Sequence, residues 1–175
     1  MTGPPRISKG GSMRLAPSLL DRLIDLEPDL ERDPNPASAE SFDGIRAALR
    51  RDLEILLNTR CTPSSPASAY PELADSLLAY GVEDFFAASL ASPIQREDFA
   101  RRLQERIARF ETRLEDVSVT LVADATPHQR KLRLRISAHY HARPGLPPLV
   151  FETSLDPVAG RFLVADMRMA ETRRG

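Results

Sequence analysis

Three carboxylates, Glu111, Glu115 and Asp116, lie within six residues of one another beside Arg109 and Arg113. Glycoside hydrolysis needs two carboxyl groups about 5 to 9.5 Å apart, one of them with a raised pKa. Neighbouring guanidinium groups favour the ionised form and lower a carboxyl pKa instead, and a chain with no Trp has little to stack on a sugar. His139 and His141 stand two apart on an alternating segment and so share a face. With His128 as the only other histidine, they read as part of a solvated polar face with Arg133 and Arg135 rather than as metal ligands. Cys61 and Ser64 have no partner base in a recognisable motif. No glycine cluster forms a phosphate cradle, and the Arg133 and Arg135 stripe lacks the interleaved aromatic residues that hold single-stranded nucleic acid. The sequence therefore assigns no catalytic residue, no metal ligand and no cofactor.

One charged residue stands out for its place rather than its chemistry. Glu111 falls at the end of a predicted helix, where the backbone dipole favours cations such as Arg113 and disfavours a carboxylate. It needs a cationic partner, which Arg109, Arg113 or an arginine of another protein can supply.

The elements that position these groups follow from periodicity. Residues 1–14 read as a flexible tail, and 15–40 as a short docking helix over Pro17 to Leu26 followed by a Pro-rich linker. From Ser41 to Leu57 the residues Ile45, Leu49, Leu53, Leu56 and Leu57 form one apolar stripe, the first core helix. Leu73, Leu77, Leu78 and Tyr80 suggest a short helical stretch stopped by Gly81, and Val82 to Ala91 a second one. Ser92-Pro93-Ile94-Gln95 combines an N-cap, a proline at the first helical position and a capping-box glutamine. The helix it opens runs to about Arg109, with Ile94, Phe99, Leu103, Ile107 and Phe110 on its apolar face. Beyond Arg113 the period changes to two, giving strands around Val117 to Leu121, Leu132 to His141, Leu149 to Leu155 and Arg161 to Asp166. Thr126 to Gln129 separates the first two, and Asp156 to Gly160 is a hairpin loop. The expected fold is α+β, amino-terminal helices packed on a carboxy-terminal four-stranded antiparallel sheet, as one domain over 41–167 with a tail at 168–175. The last strand, Arg161 to Asp166, is the expected open edge, charged only at its ends.

Composition agrees with a single packed domain. The 175 residues are 42% hydrophobic and carry 24 basic and 25 acidic groups, a formal net charge of -1. That balance provides no field for nucleic acid or an anionic membrane surface. One cysteine cannot form an internal disulfide, and neither a membrane-spanning run nor an export signal is visible, so a cytoplasmic protein is expected. The basic set is 22 Arg to 2 Lys.

Several segments in order, from about residue 15 to 166, resemble a known family. They are Leu19-Leu-Asp-Arg-Leu23, Leu49-Arg-Arg-Asp-Leu-Glu-Ile-Leu-Leu-Asn-Thr-Arg60, Tyr70-Pro-Glu-Leu73, Tyr80-Gly-Val-Glu-Asp-Phe85, Phe110-Glu-Thr-Arg-Leu114 and Phe151-Glu-Thr-Ser-Leu-Asp-Pro157. Together they look like TssE, the small baseplate-wedge subunit of bacterial type VI secretion systems, related to a wedge protein of contractile-tailed phages. The family's Glu-Pro-Arg motif corresponds to Glu111 and Arg113, with Thr112 in place of the proline. The resemblance implies a non-enzymatic subunit without a cofactor, at the baseplate on the cytoplasmic side of the inner membrane. It implies that Glu111 and Arg113 dock into a core built by TssF and TssG, and that the sheet initiates the contractile sheath of TssB and TssC by extending β-strands into it. Two alternatives stand beside it: a lysozyme-like peptidoglycan hydrolase, a label sometimes attached to the family, and an anti-adaptor that binds a response regulator.

Overall fold

The computed structural model describes residues 23, 29, 31, 41–62, 70–83, 92–122, 132–142, 145–156 and 159–167. The expected helix over Pro17 to Leu26 apart from Leu23, most of the one over Val82 to Ala91, and the loop at Thr126 to Gln129 lie outside them. The chain divides into two units, Met1–Ala48 and Leu49–Gly175.

In the first unit the described chain is mainly the opening of helix α1, Phe42–Asn58. Ser41 caps it: its hydroxyl accepts from the Gly44 N–H at 3.0 Å and its carbonyl from the Ile45 N–H at 3.1 Å. Asp43 lies in the first turn, where the dipole favours it, and Arg46 lies over the Phe42 ring.

The second unit holds the rest of α1, helix α2 (Pro93–Phe110) and strands β1 (Leu114–Leu121), β2 (Leu132–Tyr140), β3 (Leu149–Asp156) and β4 (Arg161–Asp166). The strands form an antiparallel meander in the order β1-β2-β3-β4, the α+β arrangement expected from the change in period. Ser92 and Gln95 close the expected capping box: the Ser92 hydroxyl accepts from the Gln95 N–H at 3.2 Å, and Gln95 Oε1 from the Ser92 N–H at 3.0 Å.

One sheet face is buried throughout. It carries Leu134, Ile136 and Ala138 of β2, Leu149, Phe151, Thr153 and Leu155 of β3, and Phe162 and Val164 of β4. The helices bury Leu49, Leu53, Leu56 and Leu57 of α1 and Phe99, Ala100, Leu103 and Ile107 of α2 in the same core, where Phe99 stacks on Phe162 at 6.4 Å. Ile94, expected on this face, is 71% exposed. It lies in the first turn of α2, too near the helix end to reach the sheet. The opposite face is polar, with Glu152 receiving Nη2 of both Arg133 and Arg135 at 2.9 Å.

Two local devices shape the sheet. Leu114 and Val119 are five apart, so strict alternation would place them on opposite faces. A bulge between Glu115 and Ser118, with Asp116 at φ 50°, inserts the extra residue that lets both face the core. At the β3–β4 turn Gly160 takes φ 62° and donates to the Asp156 carbonyl at 2.8 Å, as the hairpin reading requires.

The stretch around Leu73 to Tyr80 forms two 3₁₀ turns, Pro71–Asp75 and Leu77–Ala79. Leu73, Leu77 and Leu78 are exposed, because three-residue turns cannot align them into a continuous stripe. Gly81 then turns at φ 103°, and its place is fixed by the backbone after α1. Val82 N–H donates to the Thr59 carbonyl at 2.8 Å and Cys61 N–H to the Val82 carbonyl at 3.1 Å. A Cβ on Gly81 would lie 2.4 Å from the Thr59 carbonyl oxygen.

The outer edge of β4 is not bare. Asn58, at the end of α1, presents its amide to Phe162 as another strand would: Oδ1 accepts the N–H at 2.9 Å and Nδ2 donates to the C=O at 3.0 Å. Protection by a helix side chain 104 residues away in sequence is invisible in the composition of the strand itself.

Candidate functional site

The junction between α2 and β1 carries the residues singled out by sequence. Glu111 ends the helix, its N–H still bonded to the Ile107 carbonyl at 2.9 Å. Its own carbonyl accepts from the Leu114 N–H at 3.1 Å, closing a turn with Thr112 and Arg113 at the two central positions. Thr112 is exposed at the tip. The first central position of such a turn is where proline is favoured, because its backbone N–H lies outside the turn hydrogen bond.

Inside the turn Arg113 grips Glu111 with two parallel bonds, Nε to Oε1 at 2.6 Å and Nη2 to Oε2 at 2.5 Å. The same Nη2 reaches Asp52 Oδ2 of α1 at 2.6 Å. Asp52 Oδ1 in turn accepts from Arg51 Nε at 3.0 Å and Nη2 at 2.8 Å. The result is an alternating chain of two arginines and two carboxylates, with Glu111 buried, Asp52 nearly so and Arg113 about a quarter exposed. Hydrogen bonding to Glu111 outweighs the opposing effect of burial and raises the Arg113 pKa, so the guanidinium remains charged at any working pH. Tyr80 packs close by, its ring edge-on to Phe110 at 5.4 Å. Burial raises the Tyr80 phenol pKa, and the charges of Asp52 and Glu111 add to that shift.

Sequence reasoning paired Glu111 with Arg109, Arg113 or an outside arginine, and the geometry selects Arg113. Arg109 instead meets Asp75 at 3.0 Å. Asp52 and Arg51 were not singled out, although a signal was present. Asp52 lies three residues after Leu49 and four before Leu56, within the buried stripe of α1, where a carboxylate requires a partner. The other chemically able residues are dispersed. His139 is 3.8 Å from Asp116, His141 pairs with Glu115, and Cys61 lies beside Val82. Among the described residues no three His, Cys, Asp or Glu side chains are grouped as metal ligands, and no helix is long and apolar enough to cross a membrane. Both oxygens of Glu111 are committed to Arg113, so this arrangement clamps α1 to the start of the sheet rather than presenting a group for proton transfer.

The fold is a two-helix, four-stranded module tied by a buried ion cluster at its helix-to-strand junction, and the group at that junction serves structure rather than proton transfer. The particular family is set by comparison: residues 43–145 match the model described as baseplate wedge protein gp25. The match spans more than half of the 175 residues, and the chain belongs to this family of baseplate structural proteins. A comparison with curated proteins finds no match. As a wedge-family protein the chain has a structural role in a baseplate and works in contact with other baseplate components.

Proposed function

We propose that this chain is the TssE-type subunit of a type VI secretion baseplate, joining the wedge core of TssF and TssG to the contractile sheath and helping the first sheath ring assemble. It works on the cytoplasmic side of the inner membrane and needs no catalysis. The observation that carries this reading is the family match together with three of the quoted motifs, which contribute residues to one cluster. The motif in α1 supplies Asp52, the α2 exit supplies Glu111 and Arg113, and Tyr80 of the Tyr-Gly-Val motif packs beside them. In this reading Glu111 and Arg113 fix the shape of a turn whose exposed tip, Thr112, enters the TssF and TssG core.

Charge reversal at Glu111 and Arg113 tests it by co-purification with TssF and TssG and by sheath assembly in cells. Because reversal also breaks the internal cluster, Thr112→Trp is the companion variant: it crowds the exposed tip without touching the ion pairs. Thr112→Trp is expected to fold normally and lose TssF and TssG. Wild-type binding by Thr112→Trp and by both reversed variants would remove the docking assignment.

A further inference from the structure

The turn held by Glu111 and Arg113 carries two hydrogen-bond donors at its tip and uses neither. Thr112 is exposed, and the turn closes without it. The Leu114 N–H donates to the Glu111 carbonyl at 3.1 Å, and the Arg113 N–H to Glu111 Oε1 at 3.4 Å. Neither the Thr112 N–H nor its hydroxyl bonds to a described residue, and as exposed groups both are satisfied by water. A proline, which this position favours, would carry neither group.

Docking removes that water. In the role proposed above the tip lies inside the wedge core, and a donor buried there without an acceptor would lower affinity by about 5- to 150-fold. The local field narrows what the acceptor is. Thr112 directly follows α2 and its cap Glu111, and the carbonyls of Ala108, Arg109 and Phe110 accept from no described residue. That helix end is the negative pole of the backbone dipole, which disfavours a carboxylate brought against it and tolerates an uncharged oxygen. The adjoining arginines do not offset it, since Arg113 is neutralised by Glu111 and Asp52, and Arg109 by Asp75. A carbonyl oxygen has two lone pairs, enough for both donors of one residue.

We propose that Thr112 is a specificity-determining residue of the docking turn, and that the TssF and TssG core presents to it an uncharged carbonyl oxygen that receives its N–H and hydroxyl. The proposal rests on the docking role stated above. It matches this chain to a core with that acceptor, which a proline at the tip would leave unpaired.

Titration calorimetry of the full chain and its variants against the purified TssF and TssG complex of the same system tests it. Thr112→Val keeps the size and branching and deletes the hydroxyl, and is expected to weaken binding about tenfold. Thr112→Ser restores the hydroxyl and is expected to stay within about threefold of the native chain. Thr112→Pro deletes both donors while suiting the turn. It is expected to fold more stably than the native chain and yet to bind at least as weakly as Thr112→Val, so a folding defect cannot account for the loss. The ratio of native to Thr112→Val affinity is expected to hold between about 0.1 and 0.5 M salt, over which the Debye length falls by about half. A ratio that falls toward one as salt rises would overturn the uncharged acceptor in favour of a carboxylate. Native affinity in Thr112→Val and Thr112→Pro, with binding lost in Thr112→Trp, would overturn the proposal and leave the docking role standing. Native affinity in all three would overturn the docking role and the proposal with it.

Discussion

Replacing Arg113 by methionine keeps most of the aliphatic stem and removes the guanidinium. Glu111 then lies buried with neither oxygen neutralised, and Asp52 retains only Arg51. Removing one partner of a buried ion pair costs about 3 to 5 kcal/mol. Arg113 is 27% exposed, and water reaches that side of the pair, so the lower end, about 3 kcal/mol, is expected. For a domain of this size such a loss lowers Tm by about 6 to 12 °C. Urea unfolding at neutral pH, followed by far-ultraviolet circular dichroism, measures it as a fall in midpoint at constant slope. The double variant Glu111→Gln with Arg113→Met is expected to recover at least about 1 kcal/mol relative to the sum of the single losses, because no buried charge is then left unpaired. A loss below about 1 kcal/mol for Arg113→Met would place the pair among exposed surface bridges and refute the reasoning.

Four further outcomes follow from the same geometry. Gly81→Ala combines a positive φ with a Cβ 2.4 Å from the Thr59 carbonyl oxygen, and should lower stability by about 2 kcal/mol or more; a neutral thermal melt would contradict the close approach. The Thr153 hydroxyl is buried without a hydrogen-bond partner, so Thr153→Val should stabilise by about 1 kcal/mol in urea unfolding, and a loss would mean the hydroxyl is satisfied. Thr112→Pro, at the first central position of its turn, should raise stability by about 0.4 to 1 kcal/mol through the unfolded chain, whereas destabilisation would show that the turn cannot hold φ near -65°. The hydrogen bond from Arg135 does most to hold the Glu152 carboxyl below its ordinary value; desolvation opposes it, and the hydrogen bond and charge of Arg133 add to the lowering. A depressed folded pKa gives stability that is present above the unfolded value and lost as pH falls through the folded one. Glu152→Gln should therefore flatten the stability curve on the acid side of the ordinary glutamate value, and an unchanged slope would refute the assignment.

The elements themselves were legible because each depends on local chemistry. The capping box at Ser92, the apolar stripe of α1, the change to period two after Arg113 and the Asp156 to Gly160 hairpin all rest on successive residues no more than four positions apart. The family could be read for a related reason, since its motifs are linear runs. Where the sequence reading went astray, the missing information was distance through space. Ile94 has the spacing of the apolar face of α2 but lies in its first turn, beyond the reach of the sheet, and is exposed. The five-residue interval from Leu114 to Val119 conceals a bulge that only the pairing with β2 reveals.

The sequence by itself determined the order of helices and strands, the buried face of each, and a helix end where Glu111 needed a cation. Those are properties of one turn or one strand, set by side-chain periodicity and the backbone dipole. The tertiary structure decided which arginine met Glu111, brought Asp52 into the same cluster from 61 positions away, and closed β4 with Asn58 across 104. Partners so far apart in sequence are chosen by the packing of helices on the sheet, because a buried charge or backbone group bonds to whatever that packing sets within about 3 Å.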